Sequence, residues 1–479
     1  MDAKREGVLN YCQPFPWVRS AQVAEIFVLF DPRIGRYFTL TEEAADFWSN
    51  MVHVQPNVDC HELNEDLCAE FFRRKLIDCS MDIPLTVGNP ETATAGIHEH
   101  SMFDSLILNF PEIDSPLMNE PLYVDLPESN QRKLLEQFQI RRFSESLIQE
   151  SIDYSRDNET VAFDIQLGPA LIRVKVPESD RHLKISLTNG FPQLKTSLDK
   201  SPDFSISIFD DTHRPRKTQL DFPPDWHFPL GEVDGERAPK FRVAIDRHTQ
   251  SVSAFSINEG KCATWMPKYD ELPYWSAATP LRLQLSWIAD TLGLEFLHAA
   301  AIVHNGKAIL FAGPSGSGKS TLALKLAQLG FPLVSDDFLL ASETHVQAVY
   351  RRLKVHDWSA LRVIPEHWRV LNASEPGQKR IVDPGEDLVT EPIPVGAIVV
   401  PEIGKVPELS RISQGRAFSA IAPASLSGLL GGSISSLQRI SNLISSYPCF
   451  HFKVSEGVLE DSKTLIDFLN RISMNKKSL

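Results

Sequence analysis

One octapeptide constrains this chain more than anything else in it: Gly313-Pro314-Ser315-Gly316-Ser317-Gly318-Lys319-Ser320, a full match to GxxxxGK[ST]. It follows a short apolar run, AILFA, and opens into a segment carrying Leu322, Leu324, Leu326 and Leu329. Strand, loop and helix in that order are the setting the pattern requires, so this region must belong to an α/β layer structure. The glycines let the backbone turn its N–H groups inward toward anionic oxygens, and the positive end of the following helix adds attraction. The expected ligand is ATP or GTP with Mg²⁺. Lys319 bridges the outer phosphates, Ser320 ligates the metal, and Thr321 closes the contact set from the first helical turn.

A second feature narrows the class. Asp336-Asp337 follows the short run FPLVS, soon after the loop. Gly330 is a natural C′ residue, so the helix is expected to end there. The chain then returns along a strand parallel to AILFA and beside it, and both aspartates arrive at the carboxyl ends of the strands, where ligands sit. Two adjacent carboxylates there can divide the labour. One completes the Mg²⁺ shell, and the other accepts a proton from an attacking hydroxyl. The alternative is one metal ligand next to a helix cap or surface charge.

The rest of the chain reads as companion domains. Residues 1–85 predict a small α/β module: VAEIFVLFDPRIGRYFTLT is a hairpin about Asp31–Gly35, then a helix capped by Thr41 and carrying Trp48, then a second helix over Cys60–Lys75. Residues 86–158 read as a linker with a helical segment over Gln131–Tyr154. Residues 159–275 predict an antiparallel β-rich domain of unreadable role, with AFDIQL, ALIRVKV, HLKISL, DFSISIF, FRVAIDR and SVSAFSI as strands. Residues 276–479 form the α/β domain around the loop. Arg351-Arg352 and Gln378-Lys379-Arg380 are secondary candidates for contacts to phosphate or acidic substrate. His356-Asp357 and His451 have no partner at metal or triad spacing.

Composition limits the partners. The chain of 479 residues has a formal net charge of −14, which opposes a role in nucleic-acid binding. Its six cysteines include no CxxC pair, so reduced thiols are expected. There is no run of 18 or so apolar residues, and the N-terminus lacks a signal-peptide core, so no membrane association is expected and the cytoplasm is the expected compartment.

His298, the loop Gly313–Ser320 and Asp336-Asp337 together resemble HPr kinase/phosphorylase, the bacterial serine kinase with a P-loop. The resemblance implies a C-terminal kinase domain of that type, with Asp336 as catalytic base, Asp337 as Mg²⁺ ligand and His298 as partner of the base. It also allows a homo-oligomer. The EVRG stretch that the family links to its phosphorylase reaction has no counterpart here, so neither reversal nor HPr as substrate is implied. The chain is more similar to HPr-kinase-related proteins of peptide-modification gene clusters. In keeping with that, VAEIFVLFDPRIGRYFTLTEEAADFW resembles the PqqD-like peptide-recognition domain, a small winged-helix-like module. The hairpin bearing Val28, Tyr37 and Phe38 would then add a strand from a leader peptide at its edge. The fold expected is thus multidomain α/β, and the activity expected is ATP- and Mg²⁺-dependent phosphorylation of a Ser or Thr hydroxyl in a peptide or protein. A nucleotide-binding scaffold that hydrolyses ATP slowly and a small-molecule kinase remain the alternatives.

Overall fold

A computed structural model describes residues 11–14, 19–23, 26–31, 36–40, 42–53, 58–59, 77–79, 97–101, 130–192, 194–195, 200–210, 232–233, 241–246, 251–266, 276, 278–314, 316–356, 362–371, 379–427, 434–455 and 459–474. The chain is mixed α/β and divides into two compact units, 1–102 and 103–479.

The first unit holds strands β1 (Tyr11–Pro14), β2 (Arg19–Val23), β3 (Ile26–Asp31) and β4 (Arg36–Leu40), helix α1 (Glu42–His53), and strands β5 (Val58–Asp59), β6 (Ile77–Cys79) and β7 (Ile97–Ser101). The predicted hairpin is β3–β4, in register from Phe27 opposite Leu40 to Asp31 opposite Arg36. α1 buries Ala44 and Trp48, one helical turn apart, and Leu29 and Leu40 are buried as well. Two expectations change here. β7 pairs with β4, so the unit runs past residue 85. The hairpin also has no open edge: β2 lies against β3, and β7 lies against β4. Any added strand must therefore join at β2 or β7. Thr41 and the helix predicted over Cys60–Lys75 lie outside the described residues.

The second unit begins with α2 (Asn130–Asp157). It was expected within a linker, yet its inner face (Leu147, Ile148, Tyr154) packs with Phe209, Phe241, Val243, Val252 and Ala254 of a sheet. That sheet contains β8 (Thr160–Leu167), β9 (Ala170–Pro177), β10 (Leu194–Lys195), β11 (Phe204–Phe209), β12 (Glu232–Val233), β13 (Phe241–Asp246), β14 (Ser251–Ser256) and β15 (Lys261–Trp265). Its order is β10-β8-β9-β11-β15-β14-β13-β12.

The sheet is not purely antiparallel, because β11 runs parallel to both β9 and β15. A parallel neighbour needs a crossover, and α3 (Arg181–Gly190) supplies it. The predicted strand HLKISL lies inside this helix. The Asp180 side chain accepts a hydrogen bond from Leu183 N at 2.9 Å, capping the helix. Burial then falls on Leu183, Ser186, Leu187 and Gly190 while Ile185 faces outward, a period of 3.6 rather than 2.

The other face of this sheet meets α4 (Arg282–Thr291). Phe255 stacks on Trp287, with ring centroids 6.4 Å apart. The same buried cluster continues through Phe296, Phe338, Leu340 and Tyr350, so the stretches predicted as separate domains at 159–275 and 276–479 share one core.

The remaining elements are β16 (Glu295–His304), β17 (Lys307–Ala312), α5 (Lys319–Gln328), β18 (Leu333–Ser335), β19 (Phe338–Ala341), β20 (His345–Ala348), β21 (Leu353–Val355), β22 (Arg369–Val370), β23 (Arg380–Asp383), β24 (Ile393–Ile403), β25 (Glu408–Arg411), α6 (Gln414–Ser427), α7 (Ile434–Ser446), β26 (Cys449–Val454) and α8 (Ser462–Met474). β16 and β17 form a hairpin through Asn305 and Gly306, both at positive φ, as a tight two-residue turn requires. β17 pairs parallel with β24, and β24 pairs parallel with β26. Pairings among β16, β17, β24, β20 and β19 close on themselves into a ring. β18 does not lie beside β17 as expected, because the hairpin partner β16 occupies that edge. β18 pairs antiparallel with β16 on its far side and so still points the same way as β17.

Candidate active site

β16 sets the geometry of the site. Ala299 stands opposite Ala312, the last residue of β17, and the adjacent His298 stands opposite Phe338, the first residue of β19. The Gly313 loop leaves β17 and the Asp336-Asp337 turn leaves β18 at the same end of the sheet, with His298 between them.

In the loop, Gly316 and Gly318 adopt φ of 78° and 100°, a left-handed backbone that favours glycine. α5 starts at Lys319 with no side-chain cap, which leaves its first N–H groups directed at the loop. It ends as expected: Gly330 is left-handed, with Gly330 N donating to Ala327 O and Phe331 N to Leu326 O. Lys319 is only 6% exposed, and its ammonium donates to Gly313 O and Pro314 O, both at 2.9 Å. Burial pulls its pKa down to about 8. Ser317 Oγ is buried and has no hydrogen-bond partner among the described residues. Ser315 lies outside them, and Thr321 is half-buried. A buried ammonium held by carbonyls, an orphaned hydroxyl and an uncapped helix start converge here, and together they fit the oxygens of a phosphate chain.

Across the loop, the Ser320 hydroxyl donates to the Asp336 carbonyl at 3.0 Å. The Asp337 carboxylate is held from two sides. His298 Nε2 lies 2.9 Å from Oδ1, and Lys354 Nζ lies 2.5 Å from Oδ2. Burial favours the protonated form of Asp337, but Lys354 and His298 outweigh it and hold the carboxyl well below the usual range. His298 is itself pulled down by burial and by Lys319, so the neutral ring donates from Nε2 to Asp337. Phe338 stacks on the ring at 4.9 Å, and Ser425 Oγ accepts from the His298 backbone N–H.

Asp336 is in the opposite state. It is 3% exposed, and its Oδ2 accepts from Lys354 N at 3.2 Å. Burial, with Asp337 alongside, pushes its carboxyl up to about 7. The two neighbouring carboxyls are thus pushed in opposite directions, Asp337 down by its cationic and histidine partners and Asp336 up by burial. Asp337 and Ser320 are oxygen donors suited to a hard cation such as Mg²⁺. Among the described residues no three His, Cys, Asp or Glu side chains cluster as a metal site of their own.

The loop, His298, Asp336 and Asp337 are therefore brought together. One detail is corrected: His298 contacts Asp337, the expected metal ligand, and not Asp336, the expected base. Arg351 is committed elsewhere, its Nε 3.0 Å from Asp383, which also pairs with Arg369. Lys379 lies close enough for its charge to act on Lys319 and Asp336, whereas Gln378 lies outside the described residues. Sequence reasoning missed Lys354. Its only signal was alternation, since it stands in β21 between the buried Leu353 and Val355 and so faces the other way. No protein-family model matches the chain, and no curated protein matches it either.

Proposed function

We propose that the chain is a phosphotransferase that uses a nucleoside triphosphate with Mg²⁺ to phosphorylate a Ser or Thr hydroxyl of a peptide or protein. The observation that carries this reading is geometric: beside a loop suited to phosphates, Asp337 is held by His298 and Lys354 while the adjacent buried Asp336 accepts the Lys354 N–H. A binding-only module has no use for a second buried carboxyl beside the metal-binding one. In this scheme Lys319 and the loop N–H groups hold the phosphate chain, and Ser320 and Asp337 hold the metal. Mg²⁺, when bound, supplies charge neutralisation at the outer phosphates. Asp336 takes the proton from the acceptor hydroxyl. His298, through its bond to Asp337, fixes the metal-binding carboxylate and acts as a positioning residue. The first unit supports a peptide acceptor. Its sheet ends in strands β2 and β7, whose outer edges could add an extended leader segment. Among the described residues no helix is long and apolar enough to cross a membrane, which is compatible with a cytoplasmic enzyme.

Incubation with γ-labelled ATP, Mg²⁺ and peptides or proteins encoded beside the gene tests the reading, with Asp336→Ala as control. Label on a Ser or Thr of one candidate, lost in the variant, supports it. Phosphate release with no labelled acceptor across the set would turn the assignment toward a nucleotide-driven scaffold.

A further inference from the structure

The Gly313 loop has two flanks, and the aspartates use only one. They arrive on the β16 side of β17. On the other side β24 runs parallel to β17, with Phe311 opposite Val399, and continues beyond it to the level of the loop. Val400 Cγ1 lies 3.5 Å from the point where a Cβ on Gly313 would sit, and Ile403 Cγ1 lies 3.9 Å from that point on Gly318. Ile403 therefore stands beside the first turn of α5.

Ile403 is 69% exposed and Val406, in the β24–β25 connection, is 70% exposed. No other large apolar side chain among the described residues exceeds 44%. Scattered exposed aliphatics are ordinary, but Ile403 sits at the rim of the loop and Val406 follows it three residues on. The carboxylates flanking it are tied off, Glu402 to His451 at 2.6 Å and Glu408 to Lys453 at 2.7 Å. The rim thus presents two exposed aliphatic side chains, and the carboxylates that flank them already have partners.

We propose that Ile403 and Val406 form the platform for the base of the bound nucleotide, an inference that rests on the phosphotransferase reading. A triphosphate whose reacting end faces Asp336 crosses the loop and leaves on the opposite flank, toward β24. There its aromatic base meets two aliphatic side chains that water now covers. Burying that surface favours binding, and neither side chain has a donor or acceptor with which to read the base edge. The platform accordingly accepts adenine and guanine alike.

Calorimetric titration of the full chain with ATP, GTP and inorganic tripolyphosphate tests this, comparing wild type with Ile403→Ser/Val406→Ser. Both side chains are exposed, so the variant keeps its core. The expected result is about tenfold weaker binding of both nucleotides, with tripolyphosphate unchanged. Unchanged nucleotide affinity overturns the platform, as does equal weakening of tripolyphosphate, which would mean that the loop itself was disturbed. A raised acceptor KM with intact nucleotide binding also overturns it and assigns the β24–β25 connection to the acceptor. If wild type binds none of the three, the nucleotide reading falls and takes this inference with it.

Discussion

The division of labour between Asp336 and Asp337 is set by single contacts. Asp337 stays ionised because Lys354 and His298 reach it, whereas Asp336 receives a backbone N–H and, among the described residues, no ion pair. A base must be deprotonated to act. With the Asp336 carboxyl near 7 and the Lys319 ammonium near 8, kcat/KM is expected to climb from pH 6 as Asp336 loses its proton and to fall again above about pH 8 as Lys319 loses its charge. Asp336→Asn should lower kcat by about 10²–10⁴-fold while nucleotide affinity stays near wild type. A variant with full activity would remove Asp336 from the mechanism. Lys354→Met should cost stability as well as activity, because it leaves a largely buried carboxylate with one partner of two. Denaturant titration should show a loss of about 3 kcal/mol, and a loss below the error of the method would mean that Asp337 relaxes to solvent.

At the scale of the element, local chemistry decided more than hydrophobic alternation did. HLKISL alternates like a strand, but Asp180 caps it and the helical period buries the right residues. Asp180→Ala should therefore destabilise the second unit by about 1 kcal/mol and speed amide exchange at Leu183. Unchanged exchange would show that tertiary packing alone holds the helix. α5 was legible at both ends, from the loop glycines to Gly330, since its stop signal is a property of one residue's backbone. The neighbour of β17 was not legible. β16 takes that edge through the short Asn305-Gly306 hairpin, whose loop closure costs little.

Across the whole molecule, the second unit behaves as one body. The cluster that unites Phe255 and Trp287 with Phe296 and Tyr350 crosses the boundary predicted at residue 275. A fragment of residues 276–479 should thus fail to unfold cooperatively, whereas residues 103–479 should do so. A polar network spans the same junction: Arg242 and Arg439 both bind Asp290, and Arg439 and Ser436 bind Glu295. Burial outweighs these partners and raises the Glu295 carboxyl to about 7 from an ordinary value near 4.5. A raised acid keeps its proton in the native state over a range where the unfolded chain loses it. Its contribution is therefore full below about pH 4.5 and is lost as pH rises to about 7, a change of about 3 kcal/mol. Glu295→Gln should remove that part of the fall, seen as a smaller drop in stability from pH 5 to pH 8. An identical drop in the variant would show that Glu295 is ionised throughout. The sequence by itself determined the loop, the helix it opens, the Asp336-Asp337 pair and the longer strands such as β8, β9 and β17, because each rests on signals within a few residues. Only the tertiary structure decided that β16 separates β17 from β18, that Lys354 reaches Asp337, that β7 covers the β4 edge of the hairpin, and that two predicted domains share a core. Those outcomes depend on contacts between distant segments, where burial and pairing compete across the whole chain and no local pattern records the winner.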